Sequence, residues 1–163
     1  MIFIIDSPKY GKFEVLIDDE DWEEVKKYKW HIAKKKKSST TYVYRHMKKN
    51  NKYTTITLHK HLTGYKIIDH INGNGLDCRR KNMRECTNAE NVRNVGLTSA
   101  NTSGYKGVKI YKGKYITAQI RFNGDLIHLG TFETKELAAI AYNAAALKYH
   151  GEFANINQIG ATK

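Results

Sequence analysis

Alternating hydrophobic and polar residues divide the first part of the chain into short strands separated by polar turns. An alternation with a period of two residues is typical of strands that bury one face. The strands that we predict in this part are an apolar strand at the start of the chain and residues 13–17, 30–32, 42–45 and 53–58. Asp18 or Asp19 can cap a helix that reaches about Tyr28. The pattern therefore predicts a mixed fold with many strands and few helices.

The stretch of residues 69–91 has strong turn and capping signals. Residues 65–71 have the apolar content of a strand, and the Asn-Gly-Asn-Gly sequence of residues 72–75 predicts a turn within or directly after it. Residues 83–86 can pair back as a second strand. The sequence Thr-Asn-Ala-Glu at residues 87–90 has the pattern of a capping box, which predicts that a helix begins at its second residue. The expected unit is strand, loop, strand and helix.

A second group of strands follows residue 103. The strands that we predict there are residues 106–111, 114–122 and 126–132, with Asn123-Gly124 as a strong hairpin signal. Thr134 can cap a helix that reaches Tyr149. The helix contains six alanines, which would let it lie close on a three-stranded sheet and leave the other sheet face free. Residues 96–103 are small and polar and predict a linker.

An excess of positive charge bears on the partner of the chain. Lys and Arg number 28 against 16 Asp and Glu, so the net charge is +12. Such an excess favours a polyanionic partner. A membrane surface is the rival explanation, but the sequence has neither a long apolar run nor a basic amphipathic helix. The four lysines of residues 34–37 can form a flexible phosphate-binding arm or a plain solvated loop.

The cysteines and the first residues bear on the compartment. Cys78 and Cys86 have no CxxC partner, so we expect neither a zinc finger nor a disulfide framework. We expect Cys86 to be a small core residue. The apolar run at the start of the chain ends at Asp6 and is not preceded by positively charged residues, so we expect no signal peptide. These features predict a cytoplasmic location.

Four side chains within residues 69–91 have the chemistry of a metal site with a general base beside it. They are the carboxylate of Asp69, the imidazole of His70 and the amides of Asn82 and Asn91. Oxygen ligands suit Mg²⁺ or Mn²⁺ better than zinc. An imidazole with a pKa of about 6.5 can accept a proton at physiological pH. Phosphodiester hydrolysis needs this combination; the alternative is a Gly/Asn-rich hairpin whose polar residues only satisfy turns.

These residues stand in the sequence DHINGNGLDCRRKNMRECTNAEN, which resembles the HNH endonuclease signature in the variant that ends in asparagine. More narrowly, it resembles phage and intron-associated homing endonucleases, as do the upstream segments DDEDWEEVKKYKWHI and LHKHLTG. The resemblance implies that Asp69 and Asn91 are ligands of one divalent ion. It also implies that His70 is the general base that activates water and that Asn82 holds the loop of His70 by hydrogen bonds.

Two positions depart from the usual pattern of that group. Cys78 and Met83 stand where asparagine and leucine are usual, and neither is a metal or base position. Arg79, Arg80 and Arg84 lie close by in sequence and are natural contacts for phosphate, although each could equally be a surface residue.

The segments GYKGV, AQIR, LGTF and AAIAYNAAALKYHGEFANIN resemble the APETALA/ethylene-response-factor DNA-binding domain, over roughly residues 103–157. That family reads the major groove with the exposed face of its sheet. The contact positions that the resemblance implies here are Lys106, Lys109, Tyr111, Gln119, Arg121 and His128, with Tyr115 as the candidate for the aromatic residue of the first hairpin. Alternation independently places Gln119 and Arg121 on one face, where they can pair with adenine and guanine edges. The alternative is a solvated polar face.

The sequence thus predicts an α+β fold in two modules. A ββα-metal (HNH) nuclease module of residues 1–95, with its core at about 65–94, is followed after the linker by a three-stranded antiparallel sheet packed on one helix in residues 104–163. The expected function is that of a homing-type, site-specific DNA endonuclease that nicks double-stranded DNA as a monomer. It would use one Mg²⁺ or Mn²⁺ ion per active site and no obligate protein partner, in a bacterial or phage-infected cell. The alternative is a DNA-binding transcriptional regulator with an inactive nuclease module.

Overall fold

The computed structural model describes residues 1–34 and 40–160 of the chain. Its contacts divide the chain into two compact units, Met1–Asn88 and Ala89–Lys163. The arm predicted at residues 34–37 lies, apart from Lys34, outside the described residues. No helix in the described part of the chain is both long and apolar enough to cross a lipid bilayer.

The first unit consists mainly of short antiparallel strands. Its strands are β1 (Ile2–Ser7), β2 (Gly11–Leu16), β3 (His31–Lys34), β4 (Thr41–Lys49), β5 (Lys52–Thr57), β6 (Ile68–His70) and β7 (Met83–Glu85). Its helices are α1 (Trp22–Val25) and α2 (Leu58–Thr63). Strand β1 pairs with β2, strand β6 pairs with β7, and the third sheet has the order β3-β4-β5. The expected mixture of strands with a few short helices is confirmed.

Strands β4 and β5 extend beyond β3 as a two-stranded ribbon. β3 pairs with residues 41–44 of β4, whereas β5 pairs with residues 44–49. At the tip of the ribbon, Asn50 and Asn51 have φ angles of 49° and 58°. A two-residue hairpin turn of type I′ requires positive φ at both central residues, and asparagine tolerates it. Asn50 and Asn51 therefore form the two-residue turn that joins β4 to β5.

The core of the first unit is formed by apolar side chains from its strands and both helices. The side chains with 0–1% exposure are those of Val15, Ile17, Val25, Val43, Leu58 and Cys78. Trp22 packs against this cluster, as its spacing from Val25 predicts. Full burial of each aliphatic side chain stabilises the fold by about 1.5–3 kcal/mol. Cys78, rather than the half-buried Cys86, is the fully buried cysteine.

The second unit is a three-stranded antiparallel sheet with one long helix. Its elements are α3 (Asn88–Asn94), whose first residue lies at the boundary, β8 (Val108–Tyr111), β9 (Tyr115–Phe122), β10 (Asp125–Phe132) and α4 (Lys135–His150). The strand order is β10-β9-β8. Thr134 caps α4, because its hydroxyl accepts a hydrogen bond from the backbone N–H of Leu137 at 3.2 Å. The strands and the helix therefore follow the sequence pattern closely.

Small residues allow α4 to lie close on the sheet. The helix residues buried against it include Ala138, Ala139, Ala145 and Ala146, which contact β9 or its neighbours. Gly107, with φ of 75°, sits directly under the ring of Tyr142, so that a Cβ atom at this position would overlap the ring. The expectation that alanine permits close helix–sheet packing is confirmed.

Two predicted elements are shorter in the structure. The helix expected to reach Tyr28 is a 3-10 turn at Asp19–Asp21 followed by the single turn of α1, and no acidic side chain caps it. The carboxylate of Asp18 instead accepts a hydrogen bond from the backbone N–H of Arg80 at 2.7 Å. The strand expected at residues 65–71 is limited to β6.

The segment predicted as a linker contains ordered hydrogen bonds in its second half. The Asn101 amide donates to the carbonyl of Tyr105 at 2.9 Å, and the buried hydroxyl of Ser103 donates to the carbonyl of Val108 at 2.9 Å. These bonds fasten the chain to the start of β8.

Candidate functional site

His70 is the last residue of β6 and begins the loop that leads to β7. The loop is closed by backbone hydrogen bonds, from the N–H of Ile71 to the carbonyl of Asn82 at 2.9 Å and from the N–H of Gly73 to the carbonyl of His70 at 2.8 Å. Strand pairing places His70 opposite Met83 and Asp69 opposite Arg84. The backbone on both sides of His70 is therefore fixed.

Side-chain amides and one carboxylate cross-link the interior of this loop. The buried Asn82 amide donates to Asn72 Oδ1 at 3.0 Å and to the carbonyl of Asp77 at 2.8 Å, and its oxygen accepts from the N–H of Asn72 at 3.1 Å. Asn72 in turn donates to Asp77 Oδ2 at 2.9 Å. Asn82 therefore satisfies three groups of the loop that follows His70, while its role in cleavage stays a prediction.

The imidazole of His70 is buried among aromatic rings. Its ring centroid lies 5.1 Å from that of His59, at an interplanar angle of 79°, and 6.0 Å from that of Tyr42. Burial lowers the pKa of His70, against the opposing charges of Asp69 and Asp77, which raise it. The net direction favours a neutral imidazole at physiological pH, and a neutral imidazole can accept a proton.

His59 and Tyr42 are neighbours of His70 that sequence reasoning did not assign to the site. His59 is buried in α2, its Nε2 forms a 2.9 Å hydrogen bond with the Thr57 hydroxyl, and burial lowers its pKa to about 3. His61, two residues later, contacts Tyr28 and Trp30 instead, so the two histidines do not share a face. The sequence signal for His59 is the LHKHLTG segment, which resembles that of homing endonucleases.

Gly75 allows the loop to approach β4. A Cβ atom on Gly75 would overlap the carbonyl oxygen of Thr41 and lie 2.8 Å from Cδ1 of Tyr42. Any larger residue would thus displace either the loop or the tyrosine ring that packs near His70. The glycine is needed here for space, since its φ is not in the left-handed region.

Asp69 is buried and ion-paired. Its Oδ2 accepts two hydrogen bonds from the Arg84 guanidinium, at 2.9 Å from Nε and 2.6 Å from Nη2. A carboxylate is a suitable ligand for a hard divalent cation. A cation bound at Asp69 would share this carboxylate with Arg84. Among the described residues, no group of three or more His, Cys, Asp and Glu side chains forms a metal site, so any ion here needs amide or water oxygens as well.

The two other arginines predicted to contact phosphate also have acidic partners. Arg79 forms a bidentate pair with Asp77, with both N–O distances 2.7 Å, and Arg80 pairs with Asp21 at 2.6 Å. The Arg79 guanidinium lowers the pKa of Asp77. These pairs neutralise part of the charge around the loop, and the roles of all three arginines as DNA contacts stay predictions.

Most residues predicted to read DNA in the second unit share one sheet face. Strand pairing places Tyr111 opposite Tyr115 and Gln119 opposite His128. Lys109, Tyr111, Tyr115, Gln119, Arg121 and His128 all lie on the face opposite α4, where five of these six are exposed and Gln119 is half-buried. Ala118 and Ile120, which alternate with them on β9, are buried toward the helix. The structure therefore brings these six side chains onto one surface.

Lys106 lies outside this face. Its ammonium donates to the carbonyls of Arg93 and Val95, both at 2.5 Å, at the carboxyl end of α3. Burial lowers the pKa of Lys106 to about 8. Asn155 also donates to the carbonyl of Asn94 at 2.8 Å. These contacts attach the end of α3 to the second unit, and a DNA contact by Lys106 stays a prediction.

Asn91, the other predicted metal ligand, is half-buried on α3. It belongs to the second unit, whereas Asp69 and His70 belong to the first. Its role as a ligand stays a prediction.

Comparison with known proteins agrees with this site. A sequence profile described as HNH endonuclease matches residues 63–93, which span the end of α2, β6, the loop, β7 and most of α3. The chain is also 31% identical to a protein named as an uncharacterized HNH endonuclease of Acanthamoeba polyphaga mimivirus, over 96% of this chain and 85% of the relative. The chain belongs to the HNH endonuclease family. Members of this family generally use a divalent metal ion.

Proposed function

We propose that this HNH endonuclease hydrolyses phosphodiester bonds of double-stranded DNA in a metal-dependent and site-specific way, with His70 as the general base. The observation that carries the proposal is the buried, neutral imidazole of His70 beside the carboxylate of Asp69, at the start of a loop cross-linked by Asn82. A positioned base typically contributes a factor of about 10²–10⁴ to a reaction rate.

In the proposed reaction, His70 removes a proton from a water molecule whose oxygen attacks the phosphorus atom. The bond from phosphorus to the 3′ oxygen breaks, and the leaving oxygen takes up a proton from solvent. The resemblance to HNH endonucleases implies these products, a 5′-phosphate and a 3′-hydroxyl. Asn82 keeps the loop that follows His70 in one conformation, so that the ring does not have to be ordered again in each cycle.

Asp69 and Asn91 would hold one divalent ion, Mg²⁺ or Mn²⁺. A bound ion of this kind stabilises negative charge on the phosphate and on the leaving 3′ oxygen. The donor chemistry at Asp69 fits a hard cation, because a carboxylate supplies oxygen ligands; Oδ2 of Asp69 also pairs with Arg84. The Arg84 guanidinium donates hydrogen bonds to the same carboxylate and so fixes the orientation of the Asp69 side chain near the end of β6.

The exposed sheet face of the second unit supports site-specific binding. Arg121 can form hydrogen bonds with the edge of a guanine and Gln119 with the edge of an adenine, whereas Lys109 can contact a phosphate. A sheet face with four basic or amide side chains and two exposed tyrosines offers both kinds of contact. Homing activity, nicking as a monomer, and a cytoplasmic location in a bacterial or phage-infected cell belong to the same proposal.

The second candidate function is a DNA-binding regulator whose nuclease unit is inactive. The exposed polar sheet face supports the regulator as strongly as it supports the nuclease, because both functions need a surface that binds DNA. The intact set of Asp69, His70 and Asn82 favours the nuclease.

A supercoiled plasmid that contains binding sites selected from a random-sequence library separates the two functions. With Mg²⁺ or Mn²⁺ we expect conversion to the nicked circle, and with EDTA we expect none, since Asp69 and Asn91 would then have no ion. Restoring an excess of Mg²⁺ to the EDTA sample should restore cleavage and so exclude irreversible inactivation. Binding of the same plasmid without cleavage in any divalent ion would identify a regulator.

A further inference from the structure

One face of β4 forms a continuous row of side chains that ends at His70. Alternate residues of a strand point to the same side, so Tyr42, Tyr44, His46 and Lys48 share a face. We call these four residues the β4 row. Two ring contacts lie along it, from Tyr44 to His46 at 5.5 Å and from Tyr42 to His70 at 6.0 Å. The shared face of β4 therefore extends from the tip of the ribbon to the neighbourhood of the His70 imidazole.

Side chains on both sides of the β4 row widen it into a surface of uncharged polar and basic groups. The cross-strand partners on the same face are Thr57, Thr55 and Tyr53, and Tyr53 is 83% exposed. On the other side, His31 pairs with Tyr44 and its ring lies 5.6 Å from that of Tyr44 and 5.5 Å from that of His46. All of these side chains are hydroxyl, phenol, imidazole or ammonium groups.

A cleft of about 780 Å³ opens beside the row. Its lining includes Lys9, Tyr10, Lys29 and Lys34, together with His31 and Tyr44, against one acidic residue, Asp6. The cleft thus adds three ammonium groups beside the Tyr44 part of the row. Lysine, tyrosine and threonine are among the side chains that contact DNA phosphates and sugars.

We propose that the β4 row and the cleft beside it form a DNA-guiding surface of the first unit, which holds the duplex on its way to His70. The inference rests on the proposed function, because it takes His70 as the site of cleavage. Duplex DNA is the occupant that fits best, since a two-stranded antiparallel ribbon has the dimensions to enter a major groove. The predicted DNA-reading sheet of the second unit is a separate surface that uses none of these residues.

The length of the row sets where this contact falls on the substrate. Lys48 is six residues from Tyr42, which corresponds to about 20 Å along a strand. Since base pairs rise by 3.4 Å, the ribbon tip meets the duplex within about six base pairs of the cut. Contact is expected on one side of the cut only.

The hairpin tip offers a matched pair of variants for the test. Lys48 lies on the face of the row, whereas its neighbour Lys49 pairs with Lys52 on the opposite face, and both lysines are exposed. Lys48→Ala and Lys49→Ala remove the same charge from the same turn. Neither lysine has a place in the core, and thermal unfolding of both variants checks that they remain folded.

Binding is measured on a duplex centred on a cleavage site recovered from a random-sequence library, with Ca²⁺ in place of Mg²⁺. Lys48→Ala should make the slope of log K against log salt less steep by about 0.9, the change for one lost phosphate contact, and remove protection within about six base pairs on one side of the cut. Lys49→Ala should change neither. An equal change in both variants, or no change in Lys48→Ala, overturns the guiding surface.

Failure of the proposed function gives a different result. If the wild-type protein cleaves DNA in Mg²⁺ but Lys48→Ala binds with an unchanged slope and footprint, only the guiding surface is wrong. If the wild-type protein cleaves in no divalent ion, the proposed nuclease function is wrong, and with it the assignment of this surface to a path toward a cleavage site.

Discussion

At the scale of single residues, sequence spacing predicted which groups share the loop but not which groups surround it. Asp69, His70 and Asn82 belong to one short segment, and local hydrogen bonds bring the chain around them together. Tyr42 and His59 reach His70 from β4 and α2 through tertiary packing that no local pattern reports. The ion pairs of Arg80 and Arg84 likewise depend on tertiary placement, whereas Arg79 pairs locally with Asp77.

The burial of neutral His59 predicts a dependence of stability on pH. The pKa of His59 is about 3 in the folded protein, below the ordinary value of 6.5. As the pH falls below 6.5, the unfolded chain takes up a proton that folded His59 does not take up until about pH 3. The contribution of His59 is therefore complete above pH 6.5 and is lost on acidification, by up to about 1.4 kcal/mol per pH unit.

Urea unfolding of the wild-type protein and of His59→Phe, between pH 7 and pH 4, measures this effect. The free energy of unfolding should fall less steeply with decreasing pH in His59→Phe, because the phenyl ring keeps the packing and takes up no proton. Burial lowers the pKa of His70 as well, so His70 contributes a slope in the same direction in both proteins. Equal slopes in the two proteins would show that His59 is not buried as a neutral group.

At the scale of elements, the hairpin turns and the Thr134 cap of α4 follow the sequence signals, whereas competition from residues far along the chain is not visible in the sequence. The Asn123-Gly124 turn between β9 and β10 and the Thr134 cap of α4 stand where the sequence predicts them. The acidic residues expected to begin a helix near residue 18 are used differently, because Asp18 and Asp21 both bind Arg80. The α-helix itself is limited to Trp22–Val25 and follows a 3-10 turn.

We expect the two sides of the second unit, the exposed sheet face and the α4 side, to differ in DNA binding. Arg121 lies on the exposed face of β9, whereas Lys148 is exposed on α4, which covers the opposite face. Removing the guanidinium in Arg121→Ala should weaken binding to the selected site by about 1–3 kcal/mol and relax the preference for one base pair. Lys148→Ala removes the same charge and should do neither.

Fluorescence anisotropy with the selected duplex, and with variants of each base pair, measures both properties. A loss of affinity in Arg121→Ala that is the same for every sequence would mean that Arg121 contacts phosphate rather than a base. An equal loss in both variants would mean that net charge, and not the sheet face, accounts for binding.

At the scale of the whole molecule, composition favours one class of partner and leaves the number of compact parts open. A net charge of +12 favours nucleic acid, and the structure divides into the two compact units Met1–Asn88 and Ala89–Lys163. The attachment of α3 to the second unit could not be predicted, because it depends on Lys106 and Asn155, which lie far along the chain from the helix. Each unit has its own basic or polar surface, and only the first contains the imidazole proposed to act on the phosphodiester.

The most direct test of that assignment is the single-turnover cleavage rate of the selected duplex by His70→Ala, measured in Mg²⁺ beside its equilibrium affinity for the same duplex. We expect the rate to fall by about 10²–10⁴-fold, because the group that accepts the proton of the attacking water is removed, while the affinity stays close to that of the wild-type protein. A rate equal to that of the wild-type protein, or a loss of rate fully matched by a loss of affinity, would contradict the role of His70 as the general base.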